Sequence, residues 1–444
     1  MIKVALDAMG GDNAPGEIVK GAVDAVNTSK ECFVYLVGKE DVVNNELSKY
    51  TYSKEQIEVV NATEVIETGE PPVMAIRHKK DSSLVKALNM VKNKEADAFV
   101  SAGSSGAILV GGQVIVGRLP GVERPPIGAI VPTDKGCVLI VDSGANVDAR
   151  PAFLVQWAKM GSIYMENCLG IKKPRVAIVN VGLEEEKGNQ LVKETFPLLK
   201  ACDDINFIGS IEAREIPRSG ADVIVCDAFV GNVILKLYEG LAGTIISKIK
   251  GAFYSNLKSK IGAMLVKDSI KSTLKTMDAS EYGGAPLIGL NGLVVKTHGS
   301  AKAKEVKNSI LQCVTFSKSN INEQIVESLS HMPELTEEMK AARESWAKRG
   351  EEYKPAREEQ FRIKEVLNRD SQTIAEFLDC RNCCAAVPTA DNVVYCGLGH
   401  TAHATELVDR NIALAAQFQN ALLNSFADVH GYHLSSLMII PASS

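Results

Sequence analysis

Apolar positions along the chain follow two alternating rhythms. Short aliphatic runs, "IKVALDAM", "CFVYLVG", "IEVVNA", "DAFVSAG", "CVLIVDSG", "RVAIVNVG", "INFIGSI" and "DVIVCDAF", are each followed by a longer stretch of helical spacing. Strands that alternate with helices predict βαβ units, so the fold class expected is α/β with a doubly wound, mostly parallel sheet. Several of these runs end alike, in small or acidic residues just before a helix: "DAMGGDNAP", "SAGSSGA", "DSGANVDARP", "VGLEEEKGN" and "DAFVGN". Ligands of such sheets bind beyond the carboxyl ends of the strands, where helix N-termini point free amides. One cleft is the expectation.

Two stretches break the rhythm. Residues 241–277 place Ile245, Ile249, Phe253, Leu257, Ile261, Leu265 and Val266 at helical spacing and carry seven lysines against the single Asp268. The lysines are Lys248, Lys250, Lys258, Lys260, Lys267, Lys271 and Lys275. A basic amphipathic stretch of this kind docks an acidic protein, lies on an anionic bilayer, or packs a dimer with its lysine face in water. Beyond Ser330 the composition changes: residues 334–370 are dense in Glu, Lys and Arg around Trp346, Tyr353 and Phe361, with breaks near Gly350 and Pro355. Residues 380–444 then hold four of the ten cysteines and four of the seven histidines. The predicted division is a main domain at 1–330, a charged helical linker at 331–378 and a small Cys/His segment at 379–444.

With 444 residues and 45% hydrophobic content the chain can fill a sizeable core. Its net charge of -5 gives the whole molecule no general affinity for nucleic acid, so none is expected as a partner. The N-terminus enters a strand-like run directly, and no stretch of about 18 uncharged apolar residues appears, which predicts a cytoplasmic protein that does not span a membrane. Six cysteines scattered singly up to Cys313 read as buried reduced thiols.

The strand-end turns carry the candidate chemistry. Gly10 and Gly11 allow close backbone approach to an anion, with Asp7 and Asp12 behind them as orienting groups, since a carboxylate beside a phosphate dianion is repelled. The alternative is a plain tight turn with Asp12 capping the helix that Pro15 begins. "VSAGSSGA" offers Ser101, Ser104 and Ser105 around Gly103 and Gly106 as hydroxyl and amide donors, without the G-x-S-x-G spacing of a nucleophile elbow. In "VGLEEEKGN", Lys187 precedes Gly188, so the Walker pattern fails and ATP is not expected; Lys187 is then the one cation at these turns, or an ordinary surface lysine. Asp227 and Asn232 either cap a helix or aim an amide at a substrate carbonyl. The expected substrate-binding set is Gly10, Gly11, Ser101, Gly103, Ser104, Ser105, Asn146, Asn189 and Asp227, with no metal and no cofactor. In the C-terminal segment Cys380, Cys383, Cys396, His400 and His403 are compatible with zinc but match no standard finger. "YCGLGHTA" meets a lone dinucleotide pattern, and "RDSQTIAEF" faintly resembles a carrier-protein site.

Taken in order, "LDAMGGDNAP", "SAGSSGA", "DSGANVDARPAFLVQWAKMGS", "NVGLEEEKGN", "DAFVGNVILK" and "EYGGAPLIGLNGLVVKTHGSA" resemble the bacterial phosphate acyltransferases of phospholipid synthesis over residues 1 to about 330. The resemblance implies a homodimeric enzyme, related in fold to phosphate acetyltransferases and isopropylmalate-type dehydrogenases, that makes acyl phosphate from acyl carrier protein thioester and inorganic phosphate. It also implies delivery of that product to a membrane glycerol-phosphate acyltransferase and peripheral contact with an anionic membrane. Lys187 and Asn232 stand at the positions it marks as active-site residues, and Ser104 and Ser105 replace a commoner Asn-Thr pair. Lys248, Lys250, Phe253, Lys258, Lys260, Leu265 and Lys267 form the docking set for carrier protein or membrane. The competing readings are a coenzyme A-dependent phosphate acyltransferase, an acyl-phosphate-handling reductase subunit, and a metal-dependent decarboxylating dehydrogenase using Asp142, Asp148 and Asp227.

Overall fold

The computed structural model describes residues 1–330. The linker, the Cys/His segment and the zinc, dinucleotide and carrier-site readings made on them lie outside the described residues. In chain order the elements are β1 (Ile2–Asp7), α1 (Gly16–Thr28), β2 (Cys32–Gly38), α2 (Glu40–Leu47), β3 (Ile57–Asn61), α3 (Pro72–His78), α4 (Ser83–Lys92), β4 (Ala98–Ser101) and α5 (Ser105–Gly111). There follow β5 (Gly128–Thr133), β6 (Gly136–Val141), α6 (Pro151–Leu169), β7 (Arg175–Val179), α7 (Gln190–Lys200), β8 (Asn206–Ile211) and β9 (Val223–Val225). The last are α8 (Ala228–Tyr254), α9 (Leu257–Thr276), β10 (Ala285–Leu287), β11 (Leu293–Lys296), α10 (Ala303–Ser317) and α11 (Ile321–Ser330).

The predicted doubly wound, mostly parallel organisation is present and is divided between two sheets. One has six strands in the order β10-β11-β4-β1-β2-β3, the other five in the order β5-β6-β9-β7-β8. Only β10 and β5, each at a sheet edge, run antiparallel to their neighbours. In the first sheet the chain steps from β1 outward to β2 and β3, then returns to β4 on the other side. The switch of direction falls between β1 and β4, and the crevice at a switch point is where open α/β sheets bind ligands.

Burial follows from this layering. All four residues of β4 are buried, because helices cover both of its faces. Between the sheets α1, α10 and α6 build the main core around Trp157, Tyr164, Val306, Ile310 and Phe316. Helices α1 and α10 touch at Gly21, where a Cβ would stand 2.6 Å from that of Val306. The outer face of the first sheet is sealed by α4 and α5, and that of the second by the start of α8, where the Tyr238 hydroxyl donates to the Pro132 carbonyl.

Past that bond α8 leaves the body and pairs with α9 as a helical hairpin. Asn256 turns the corner, its Oδ1 accepting from Ser259 N–H at 2.9 Å. Phe229, Val233, Leu237, Leu241, Ile245 and Ile249, four residues apart along α8, are all exposed. So are Leu257 and Leu265 of α9, at 75% and 82%. Among the described residues α8 alone is long and apolar enough to cross a membrane by length and composition. Lys236, Glu239, Lys248 and Lys250 interrupt it, which is why no uncharged run shows in the sequence. Of the six cysteines among the described residues, Cys32, Cys202, Cys226 and Cys313 are buried, while Cys137 and Cys168 are only partly so.

Candidate active site

At the switch point the turns after β1 and β4 interlock. Asp7 is buried; its carboxylate accepts the Ser101 hydroxyl at 2.7 Å and the Met9 N–H at 3.2 Å, while Ser101 Oγ accepts the Gly103 N–H at 2.9 Å. Burial pushes the Asp7 carboxyl above its ordinary value, and these bonds offset only part of that. A Cβ on Gly10 would stand 2.5 Å from Asp7 Oδ2 and 2.8 Å from Gly103 N, and one on Gly11, at φ +101°, 2.7 Å from Ala102 Cβ. The glycine pair therefore lets one turn lie against the other. Ser104 is buried and caps α5, accepting from Ala107 N–H at 3.4 Å; Ser105 is exposed.

Asp12 does not cap α1, which begins at Gly16 after Pro15. Its N–H instead donates to the Gly299 carbonyl at 2.8 Å, and Asn13 Nδ2 donates to the carbonyls of Ser300 and Ala301 at 3.0 and 3.3 Å. These contacts bring the β11–α10 turn to the same rim.

A second group gathers after β6 and β9. Asp142 is buried and accepts from the N–H groups of Ile127, Gly144, Ala145 and Asn146 and from Asn146 Nδ2, at 2.8 to 3.1 Å. Asn146 also donates to the Pro125 carbonyl, and its own carbonyl accepts the Ala228 N–H. Asp227 caps α8 by accepting from Val230 N–H at 2.9 Å. Both aspartates are thus bound to backbone, and among the described residues no three His, Cys, Asp or Glu side chains converge to hold a metal.

The turn after β7 wraps around Asn180, whose Nδ2 donates to the Lys187 carbonyl and to Ser210 Oγ, both at 3.1 Å. Gly188 takes φ +104° against it. Asn189 caps α7, accepting from Val192 N–H at 3.0 Å. Lys187 is half exposed and its ammonium pairs with Glu184 at 2.7 Å; that bond, with the charges of Glu184, Glu186 and Glu212, holds its pKa above the ordinary lysine value. Asn232 lies in the opening turns of α8, exposed, its side chain without a hydrogen bond among the described residues.

Lys187 is not the one cation at the strand ends. Lys296 closes β11 directly opposite Ser101 of β4, half-buried, with its ammonium donating to the Thr297 carbonyl at 2.6 Å. Burial pulls its pKa below the ordinary value; the charges of Glu305 and Asp12 act the other way, and that of Lys236 on α8 adds to the lowering. In the sequence the signal was "LVVKTHGS", a short apolar run ending in small polar residues like the other strand ends.

A family pattern described as "Fatty acid synthesis protein" matches residues 2–324. A phosphate acyltransferase from Clostridium botulinum (strain Alaska E43 / Type E3) is 50% identical over 325 residues, 73% of this chain and 98% of its own length. The chain belongs to the phosphate acyltransferase family. Another member, from Alkaliphilus oremlandii (strain OhILAs), is 49% identical over 331 residues, 74% of this chain and 98% of its own. Among solved structures, the EutD phosphotransacetylase from Staphylococcus aureus aligns with 72% of this chain and 94% of its own at 17% identity and a TM-score of 0.47. The family pattern, at residues 2–324, takes in nearly all of the described residues.

Proposed function

We propose that this phosphate acyltransferase moves the acyl group of an acyl carrier protein thioester onto inorganic phosphate, the first step towards phosphatidic acid. The observation that carries the reading is the convergence of amide-rich and hydroxyl-rich turns at the switch point between β1 and β4, in a chain of this family. Phosphate is already an oxygen nucleophile at neutral pH and a thiolate leaves readily, so placement and charge supply the catalysis. A phosphate oxygen attacks the thioester carbonyl carbon and the carbonyl oxygen takes up the charge. The C–S bond then breaks, its electron pair leaving on sulfur, which acquires a proton.

In this reading the turns at Gly10, Gly11, Gly103 and Ser105 receive phosphate. Lys187 exchanges its exposed partner Glu184 for the anion, and Asn232 donates its uncommitted amide to the oxyanion. Asn146, Asn189 and Asp227, bonded to backbone, position their loops. The apolar stripe of α8 is assigned to a second copy of the chain, and the lysine-rich end of the hairpin to carrier protein and anionic membrane, where a glycerol-phosphate acyltransferase takes the product.

The test incubates the purified full chain with palmitoyl-carrier protein and labelled phosphate in the presence of EDTA. Acyl phosphate should form, and Lys187→Ala and Asn232→Ala should each cut turnover about a hundredfold with the fold intact, the worth of one oxyanion donor at roughly 3 kcal/mol. Near-normal turnover in both variants withdraws those roles. Product from coenzyme A thioesters alone would change the donor.

A further inference from the structure

We propose that Lys296 and Thr297, at the carboxyl end of β11, form the seat that holds the phosphate substrate. The inference rests on the acyl-transfer reading above and adds to its phosphate-receiving turns a cation and a hydroxyl that it does not name. Two adjacent groups at this strand end are unmatched. The Lys296 ammonium has three protons to donate and one acceptor, the Thr297 carbonyl at 2.6 Å, with no carboxylate at ion-pairing distance among the described residues. Thr297 is 1% exposed, and its Oγ1 has no hydrogen-bond partner among the described residues. A half-buried cation with no directly paired carboxylate and a buried hydroxyl without a partner both destabilise a fold, and an anion relieves both.

Their place fits the substrate. Lys296 pairs in register with Ser101, and Thr297 N–H donates to the Ser101 carbonyl at 2.9 Å, so the seat adjoins the β4 turn. Across the rim, Asp12 is fastened to Gly299 at 2.8 Å. Of the charges that reach Lys296, Glu305 and Asp12 are negative and Lys236 of α8, itself paired with Glu239 at 2.7 Å, is positive, so the seat rests on the ammonium and the hydroxyl rather than on the surrounding field. Lys187, by contrast, already has a carboxylate partner at 2.7 Å.

The experiment measures kinetics and thermal melts of the full chain with inorganic phosphate, comparing wild type with Lys296→Met, Lys296→Arg and Thr297→Val. Lys296→Met should raise the KM for phosphate about tenfold or more while the KM for the acyl donor stays within about twofold, with partial recovery in Lys296→Arg. It should also abolish the rise in Tm that phosphate produces in wild type, and raise the Tm of the phosphate-free protein. An unchanged phosphate KM and an undiminished phosphate effect on Tm overturn the proposal while acyl transfer stands. A change confined to the donor KM also overturns it, by assigning the seat to the phosphate of the carrier arm. If wild type makes no acyl phosphate at all, the enzymatic reading fails and the melts alone decide whether Lys296 holds phosphate. Should Lys296→Met not fold, Thr297→Val carries the same comparison, with a smaller rise of about threefold.

Discussion

Gly231 meets the carbonyl of Asp142 so closely that a Cβ there would lie 2.0 Å from the oxygen. The Asp142 backbone and the buried Cys226 sulfur leave the methyl no room, so Gly231→Ala should destabilise by about 3 kcal/mol, read as a lower urea midpoint; a midpoint equal to wild type would contradict the contact. Asp7 and Asp142 share another property, since burial raises both carboxyls above 3.8 despite their hydrogen bonds. A folded pKa above the unfolded one means that the native state binds protons more readily. The stability these groups contribute is therefore full below pH 3.8 and is lost as pH rises through the folded values. Asp7→Asn should flatten the fall in unfolding free energy over that window, and a pH-independent difference from wild type would rule this out. At this scale the sequence marked Gly10, Gly11 and Asp7 as a turn, because glycine pairs and acids at a strand end have few other uses. Lys296 stayed hidden: its interest lies in what surrounds the ammonium, which a four-residue run does not record.

Among the elements, the strands of the βαβ alternation were legible, β3 and β8 at sheet edges included, whereas the antiparallel edge strands β5 and β10 and the short parallel β11 were not. β5 contains Pro132 and β10 contains Pro286, both strands lie at sheet margins, and proline both tolerates that position and disguises it as a loop. The hairpin of α8 and α9 was legible in its charge and period, while its departure from the body was not, because the same stripe could have been core. The apolar stripe runs about 30 Å at 1.5 Å per residue from Phe229 to Ile249. Lys258 and Lys260 sit exposed just past its corner. Lys258→Glu with Lys260→Glu should raise the KM for acyl carrier protein about fivefold and reduce binding to anionic liposomes, with the effect fading at high salt. Unchanged values in both assays would leave the lysines as a solvated face only.

For the whole molecule, relatives that are 98% covered by 73% of this chain place a complete family domain within residues 2–324. Truncation after Ser330 should accordingly leave acyl phosphate formation within about twofold of the full chain, and a loss beyond tenfold would show that the later residues serve the reaction. Two sheets about a shared helical core, where the sequence suggests one, were not legible because strands this short do not announce their partners. That arrangement leaves the strand-end turns of the two sheets differently fastened. On one side Asp12 and Asn13 are tied to Gly299, Ser300 and Ala301, and Glu17 accepts the Ala303 N–H at 2.7 Å, so the β1 and β11 turns are stitched into a single jaw. The Lys187 turn, after β7 of the other sheet, is instead held at its surface by exposed pairs, Lys187 with Glu184 and Lys200 with Glu185. Tied through backbone, the first of these turns should shield its Asp12 and Ala303 amides from exchange with solvent far longer than the second shields those of residues 184–186.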